Sequence, residues 1–343
     1  MQKETSLPDP VHRVPGDGAD APTRVRAFLG CVLGAAIGDA MGHPTEFLDL
    51  ESIRSRYGPQ GVTGFVLYRE EGGRRFAPYT DDTQMAEVVL RALVDSAKDQ
   101  RGLDEAMEHM ARGFVEWMER PQGGHRAPGN ACLAGCRALA RGVVWSKAGG
   151  ATAGGCGSVM RAYPFGLVFA DDLERAERWA VEHSKMTHRD PIALAACAAM
   201  AVGTALAVRG EAVDVVVEAM CAAAARYDDV TAQMMRRAVD EARSGVGPEV
   251  SLDRLRGWAA HEAIAAACFV FVRRADDVRA AILEGANTPG DSDSIATLAG
   301  ALVGARCGLE ALPAEWVRDV ERGKELLDLG RAAVDVVGSR GAG

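Results

Sequence analysis

Two stretches of this chain crowd carboxylates and hydroxyls at the start of a helix pattern: YTDDTQ at 79–84 and GDSDS at 290–294. One such site reads as a helix cap, with Asp or Thr accepting a backbone N–H and acids complementing the helix dipole. Two sites raise another reading. If the segments meet, Asp81, Asp82, Asp291 and Asp293 bring four negative charges together. Each pair at about 4 Å repels by roughly 4 kcal/mol at an effective dielectric near 20. Helix dipoles return only about 0.3–1 kcal/mol per charge. Convergence therefore requires cations or protonation. Every donor is an oxygen, so the chemistry favours hard divalent ions such as Mg²⁺ or Mn²⁺ over zinc, and four carboxylates suit two ions better than one. Spacing alone does not bring the two clusters together.

The elements that must position these groups are helical. After Thr80 the apolar residues Met85, Val88, Val89 and Leu93 recur at amphipathic spacing; after Ser294, Ile295, Leu298, Leu302 and Val303 do so. Gly30, Gly34, Gly38 and Gly42 recur every four residues, and Gly300, Gly304 and Gly308 repeat that spacing near the other end. On a helix this makes a ridge without side chains. Each interior glycine costs about 1 kcal/mol against alanine, so close backbone approach is expected, with the two ridges packed together. A membrane span is the rival, but the apolar run ends at Asp39 after about a dozen residues, against roughly 20 needed. Helical patterns also cover 103–119, 130–142, 171–187, 190–209, 211–225, 229–243, 251–268, 276–285 and 315–338. Only VTGFVLY at 62–68 has strand patterning, with a loop as the alternative. Gly- and Pro-rich connections fall at 120–129, 147–158 and 244–250. The expected fold class is all-α: one compact multi-helix domain over 24–338, with two helical halves split near 150 as the alternative. Residues 1–23, rich in Pro, Gly and Asp, read as a disordered tail, and 339–343 as a flexible C-terminus.

Composition removes several function classes. The 343 residues are 48% hydrophobic and 25% charged, with only 6% aromatic and a formal charge of −9. No basic block exists to neutralise phosphates, so nucleic acid is not the expected main partner. Eight cysteines carry no CxxC pair. Cys132 and Cys136 lie four apart on a helix pattern without a second ligand pair, so all eight read as reduced core residues of a cytoplasmic protein. The N-terminus lacks the apolar stretch of a secretory signal, and no membrane partner is expected.

Six motifs in order resemble the ADP-ribosylglycohydrolases, the group that includes dinitrogenase reductase-activating glycohydrolases and mammalian ADP-ribosylhydrolases. They are GCVLGAAIGDAMGHPTEF, YTDDTQ, RAPGNACLAGCRAL, GGCGSVMRAYPFGL, MTHRDPIALAACA and GANTPGDSDSIATLAGALVGA, spanning about 28–313. The resemblance implies a compact all-α fold whose two acidic clusters line one cleft and hold two Mg²⁺ or Mn²⁺. It carries over Thr80, Asp81, Asp82, Asp291, Asp293 and Ser294 as metal ligands; Ser294 stands where many relatives have Thr. It places Glu46 beside the metals in a catalytic role, with Asp82 as a second candidate for proton transfer. The glycine-rich GGCGSVMR then faces the diphosphate of ADP-ribose, with Gly157, Ser158 and Val159 as contacts. His188 lines the same cleft, and Asn130 lies near the distal ribose. His183 lacks equal support.

One departure concerns the acceptor. Some relatives that cleave arginine linkages carry a carboxylate three residues before this Asn; here that residue is Ala127, so no general acid is assigned. Tyr163, Phe165 and Tyr227 are open candidates for stacking on adenine. The implied reaction is hydrolysis at C1″, releasing ADP-ribose from a protein side chain, arginine-linked first, with Glu46 positioning or deprotonating the attacking water. Two further functions stay on the table. One is an ADP-ribose-binding module with little turnover. The other is an immunity protein that counters an ADP-ribosylating toxin, whose sequence hook is the 1–23 tail.

Overall fold

A computed structural model of the chain describes residues 21–338. The expectations for residues 1–20 and 339–343 lie outside those residues; Ala21–Thr23, assigned to the tail, open the first helix. Among the described residues are seventeen α-helices, three short 3-10 helices and one hairpin. In chain order they are α1 (Ala21–Gly42), α2 (Leu50–Tyr57), β1 (Arg69–Glu71), β2 (Arg74–Phe76), α3 (Asp81–Lys98), α4 (Leu103–Glu119), α5 (Asn130–Ala140) and α6 (Trp145–Ala148). Then come α7 (Tyr163–Val168), α8 (Leu173–Ser184), α9 (Pro191–Val208), α10 (Val213–Ala225), α11 (Asp229–Arg243) and α12 (Pro248–Arg254). The last are α13 (Ala260–Arg274), α14 (Val278–Ala286), α15 (Ser292–Cys307), α16 (Ala314–Asp319) and α17 (Gly323–Gly338). The fold is all-α, as expected, and buried apolar residues from Ala27 to Val337 form one cluster.

The centre of the molecule is the antiparallel crossing of α1 and α15. A Cβ on Gly30 would strike Gly304 O, one on Gly34 would strike Gly300 O, and one on Gly38 would strike Ala296 O, each closer than 3.0 Å. The ridges do meet, and their register has a consequence. The run ends with Gly42 against the Asp293 backbone, so the C-terminal end of α1 lies on the N-terminal end of α15. Glycine-to-alanine normally gains about 1 kcal/mol of helix propensity. At Gly34 the sign should reverse, because a methyl against a backbone carbonyl overpacks the crossing by about 1–3 kcal/mol or more. Urea unfolding of Gly34→Ala checks this; a stabilised variant would contradict the packing.

Among the described residues two helices are long and apolar enough to cross a membrane, Thr23–Thr45 and Pro191–Val208, but 89% and 83% of those windows are buried inside the protein. The first outruns the apolar stretch counted in sequence because the helix continues through Asp39, itself buried. A helix apolar all round is a core helix when its neighbours cover it. Here α7, α8, α10, α13 and α15 pack on α9.

Three local expectations are corrected. Residues 62–68 form no strand. The hairpin follows them, in REEGGRRF, pairing Arg69 with Phe76 across Gly72 and Gly73, both at positive φ, as a tight hairpin turn demands. The 251–268 pattern splits into α12 and α13 because Gly257 adopts φ +84° and Arg256 O accepts from Asp291 N at 2.8 Å. The 315–338 pattern splits at 320–322, where Arg322 has φ +47° and Glu321 N donates to Ala77 O at 3.0 Å. In both cases a backbone bond to a distant segment replaces a helical one.

Candidate active site

The two acidic helix starts meet. Ser294 Oγ, in the first turn of α15, donates to Asp82 Oδ2 in the first turn of α3 at 2.9 Å. Thr80, Asp81, Asp82, Asp291, Asp293 and Ser294 are all buried. The junction is built by Asp39, which sequence reading passed over. Its Oδ1 accepts from Thr80 N at 2.8 Å, and its Oδ2 accepts from Thr83 N at 2.9 Å and Thr83 Oγ1 at 2.6 Å. Thus α1 caps α3 from outside while its glycine ridge holds α15. Ser292 Oγ closes the third side by donating to Gly42 O at 2.9 Å.

These aspartates are not ordinary caps. Asp172, Asp190, Asp228 and Asp277 cap α8, α9, α11 and α14 with their own carboxylates. At α3 that work falls to Thr80, whose side chain accepts from Asp82 N at 3.2 Å. Asp291 makes no side-chain cap bond at α15; its Oδ2 instead accepts from the Cys156 thiol at 2.7 Å. Capping does not explain the crowding.

Electrostatics give the same answer. Burial, then the charge of Asp293, holds Asp81, Asp82 and Asp291 well above the usual carboxylate range. The same two causes raise Asp39 to about 6 and Glu46 to about 9. Such a nest stays ionised near neutral pH only beside compensating cations. The donor set of carboxylates and hydroxyls suits hard divalent ions, and an acid-and-imidazole group sits at its edge. Ligand atoms of His43, Glu46 and Asp293 all lie within 4.8 Å of one another, and His43 Nδ1 is buried without a hydrogen-bond partner. The residues fit a divalent metal centre.

Glu46 follows the short 3-10 helix His43–Thr45. The next residue, Phe47, is held at φ +65°, costly for a non-glycine residue, by donating its N–H to Gly290 O at 2.9 Å. Its ring stacks on Trp258 at 5.1 Å between centroids. Phe47 is 64% and Trp258 41% exposed, so the mouth carries an open aromatic face. Tyr163 and Phe165 are buried and offer no free stacking face; Tyr227 is half-buried and donates to Glu177 at 3.1 Å.

The glycine-rich loop forms the 3-10 helix Cys156–Arg161, stitched to the mouth by Cys156 N donating to Trp258 O at 3.1 Å. Gly157, Ser158 and Val159 are buried. Ser158 Oγ is turned inward, accepting from Ser184 Oγ at 2.9 Å. Behind the loop lies Arg161, fully buried. It donates to Gly157 O and to Thr187 Oγ1 at 2.7 Å, and stands 4.7 Å over the Phe114 ring. Its further contacts, Met85 Sδ and Cys132 Sγ at 3.6 Å each, are uncharged as well.

Burial, then Arg161, pushes the His188 imidazole down to about 3, so it is neutral. A guanidinium only donates, so Thr187 Oγ1 accepts from Arg161 and shares a hydrogen bond of 2.8 Å with His188 Nδ1. Nε2 lies on the side of Gly155 and Gly157. His183 is buried, with Nδ1 against Ala180 O, a core residue. Asn130 is exposed at the first position of α5. Two residues on, Cys132 Sγ donates to Gly157 O at 3.7 Å, which puts α5 beside the loop.

The segment ahead of Asn130 is anchored by Arg126, buried, which pairs with buried Glu321 (Nη2–Oε1 2.8 Å) and donates to Tyr79 O. Glu321→Ala strands that charge and should cost about 3–5 kcal/mol, read as a lowered urea midpoint. An unchanged midpoint would show the pair to be idle.

Comparison with known proteins agrees with this architecture. The family model described as ADP-ribosylglycohydrolase matches residues 20–343. The chain is 28% identical to the ADP-ribosylarginine hydrolase Tri1 of Pseudomonas putida (strain GB-1), covering 89% of this chain and 77% of that one. It is 26% identical to the ADP-ribosyl-[dinitrogen reductase] glycohydrolase of Rhodospirillum rubrum, covering 85% and 90%. It is 25% identical to the ADP-ribosylhydrolase ARH3 of Homo sapiens, covering 86% and 89%. A solved structure described as an ADP-ribosylglycohydrolase-related protein complex shares the fold with a TM-score of 0.69, at 24% identity, over 92% of this chain and 99% of that one. With a family model matched over nearly its whole length, the chain belongs to the ADP-ribosylglycohydrolase family.

Proposed function

We propose that the chain is a divalent-metal-dependent ADP-ribosylhydrolase that cleaves at C1″ of ADP-ribose on a modified protein side chain. The observation that carries this reading is the closure of two acidic helix starts on one another, Ser294 Oγ to Asp82 Oδ2. Thr80, Asp81, Asp82, Asp291, Asp293 and Ser294 would hold two ions, Mg²⁺ or Mn²⁺. When bound, these supply Lewis acidity and orientation for water and sugar hydroxyls. Glu46, at the open edge of the nest, positions the water and takes its proton as the bond from C1″ to the side chain breaks, and that proton, its movement shared by Asp82, ends on the departing side-chain atom. As C1″ gains positive character, the surrounding carboxylates stabilise it. Backbone amides of Gly157, Ser158 and Val159, the imidazole of His188 and the buried charge of Arg161 suit the diphosphate, since a helix's first N–H groups have no acceptor of their own. The Phe47–Trp258 face suits the adenine, and Asn130 stands at the rim for the distal ribose.

Arginine is the acceptor proposed first, because two of the similar proteins are named for arginine or dinitrogen reductase substrates. Ala127, at the place of the carboxylate some arginine-cleaving relatives carry, is exposed at φ +55° and brings no acid. The test is mass-spectrometric release from Arg-, Ser- and Asp/Glu-linked ADP-ribose, with and without chelator. Release should vanish on chelation and return with Mg²⁺ or Mn²⁺. Tight ADP-ribose binding without release would leave a binding module instead.

Stability should report the same centre. Acids raised in the folded state stabilise it while protonated and lose that contribution as pH climbs through their folded values, about 6 for Asp39 and about 9 for Glu46. The metal-free protein should therefore lose Tm between pH 5 and about 9. Ions at 100 times their Kd should restore about 2.7 kcal/mol, with the larger gain at higher pH. Calorimetry over that range checks it; a Tm indifferent to both pH and ions would contradict it.

A further inference from the structure

We propose that His43 is a nitrogen ligand of the metal nearest Glu46 and Asp293, and that it biases this centre toward Mn²⁺ over Mg²⁺. The proposal rests on the reading of the acidic nest as a metal centre. His43 opens the 3-10 helix that follows α1. Its place is set by Gly42, whose backbone lies against Asp293 so closely that a Cβ would meet Asp293 Cα at 2.5 Å. That contact fixes where the His43 backbone enters the nest.

Its Nδ1 is buried and has no hydrogen-bond partner. A buried imidazole nitrogen left unpaired is costly, which makes a missing partner the question to answer. Nδ1 stands 3.7 Å from Glu46 Oε2, and ligand atoms of His43, Glu46 and Asp293 lie within one 4.8 Å group. Bonds of about 2.1 Å place two ligand atoms about 3 Å apart at right angles and about 4.2 Å apart when opposite. The observed separation falls between these limits, so one ion can touch both groups with little adjustment. The side chain is 24% exposed, which leaves an entry path from the mouth.

The chemistry sets the preference. Mg²⁺ takes oxygen ligands and gives up water reluctantly. Imidazole suits transition ions, and Mn²⁺ accepts nitrogen beside carboxylates. One neutral nitrogen donor added to a carboxylate set therefore favours Mn²⁺, without adding charge to an already repulsive nest.

The experiment is pulsed EPR on the full chain loaded with Mn²⁺, alongside calorimetric titrations with Mn²⁺ and Mg²⁺, for the wild type and His43→Gln. Circular dichroism establishes that the variant is folded. The expected result is a directly coordinated ¹⁴N modulation that His43→Gln removes. Mn²⁺ affinity should fall about tenfold, the lower end for perturbing a metal's ligand environment, while Mg²⁺ affinity stays within about twofold. Bound Mn²⁺ with no nitrogen coupling, or with coupling unchanged in His43→Gln, overturns the assignment and leaves the oxygen centre standing. Failure of Mn²⁺ to bind at all overturns the metal-centre reading itself.

Discussion

Asp293→Ala should release ADP-ribose about 10²- to 10³-fold more slowly than wild type, the range for removing one preorganised electrostatic contact, and yet be more stable than wild type in chelator. The two effects have one cause. Asp293 is the leading charge that raises Asp81, Asp82 and Asp291, and it acts in the same way on Asp39 and Glu46. Removing it relieves repulsion in the bare protein while taking away a group the ions need. The gain from added Mg²⁺ or Mn²⁺ should shrink accordingly. A merely structural aspartate would behave differently: its loss would lower metal-free stability and leave the ion response intact. Thermal unfolding in chelator, then in saturating Mn²⁺, beside the release assay, separates the two. Wild-type release by a folded Asp293→Ala protein in Mg²⁺ would remove the assignment.

Glu46→Gln should lower kcat by about 10²- to 10⁴-fold, the span of a general base, while ADP-ribose affinity changes only a few-fold. The substitution keeps the side chain's length and removes its ability to take a proton. Glu46 is not among the six ligands carried over from the two acidic turns, although it stands beside the ion that His43 would hold. It lies on the loop after α1, its side chain is 10% exposed, and the neighbouring Phe47 backbone is held in an unfavourable conformation by Gly290. Strain of that kind persists where surrounding structure over-determines it; here it fixes a carboxylate at the mouth. Single-turnover kinetics with an ADP-ribose titration checks the split. A loss confined to KM would make Glu46 a binding residue only.

Much of this was legible locally. Glycines at four-residue spacing in two helices predict close crossing, and the clashes that an added Cβ would make at Gly30, Gly34 and Gly38 bear that out. Apolar periodicity marks α3, α4, α9 and α11 within a few residues. What escaped was set by distant partners. Asp39 looked like the end of an apolar run; its role depends on Thr80 and Thr83, which only the fold brings near. The breaks at 255–259 and 320–322 interrupt patterns whose apolar spacing continues, because backbone bonds to Asp291 and Ala77 outcompete the helix there. Arg161, Thr187 and His188 form a relay across 26 positions, invisible as spacing. The hairpin at 69–76 was hidden by its charged, exposed residues, although Gly72–Gly73 is a turn signal. The acidic clusters themselves were plain; that they meet was not, since no local pattern carries a contact across 212 positions.

The most direct test is an anomalous difference map at the manganese edge from crystals grown with Mn²⁺ and ADP-ribose. Two peaks should lie between the Thr80–Asp82 turn and the Asp291–Ser294 turn, with the distal ribose against them. Ordered ADP-ribose with no anomalous density between those turns would contradict the account.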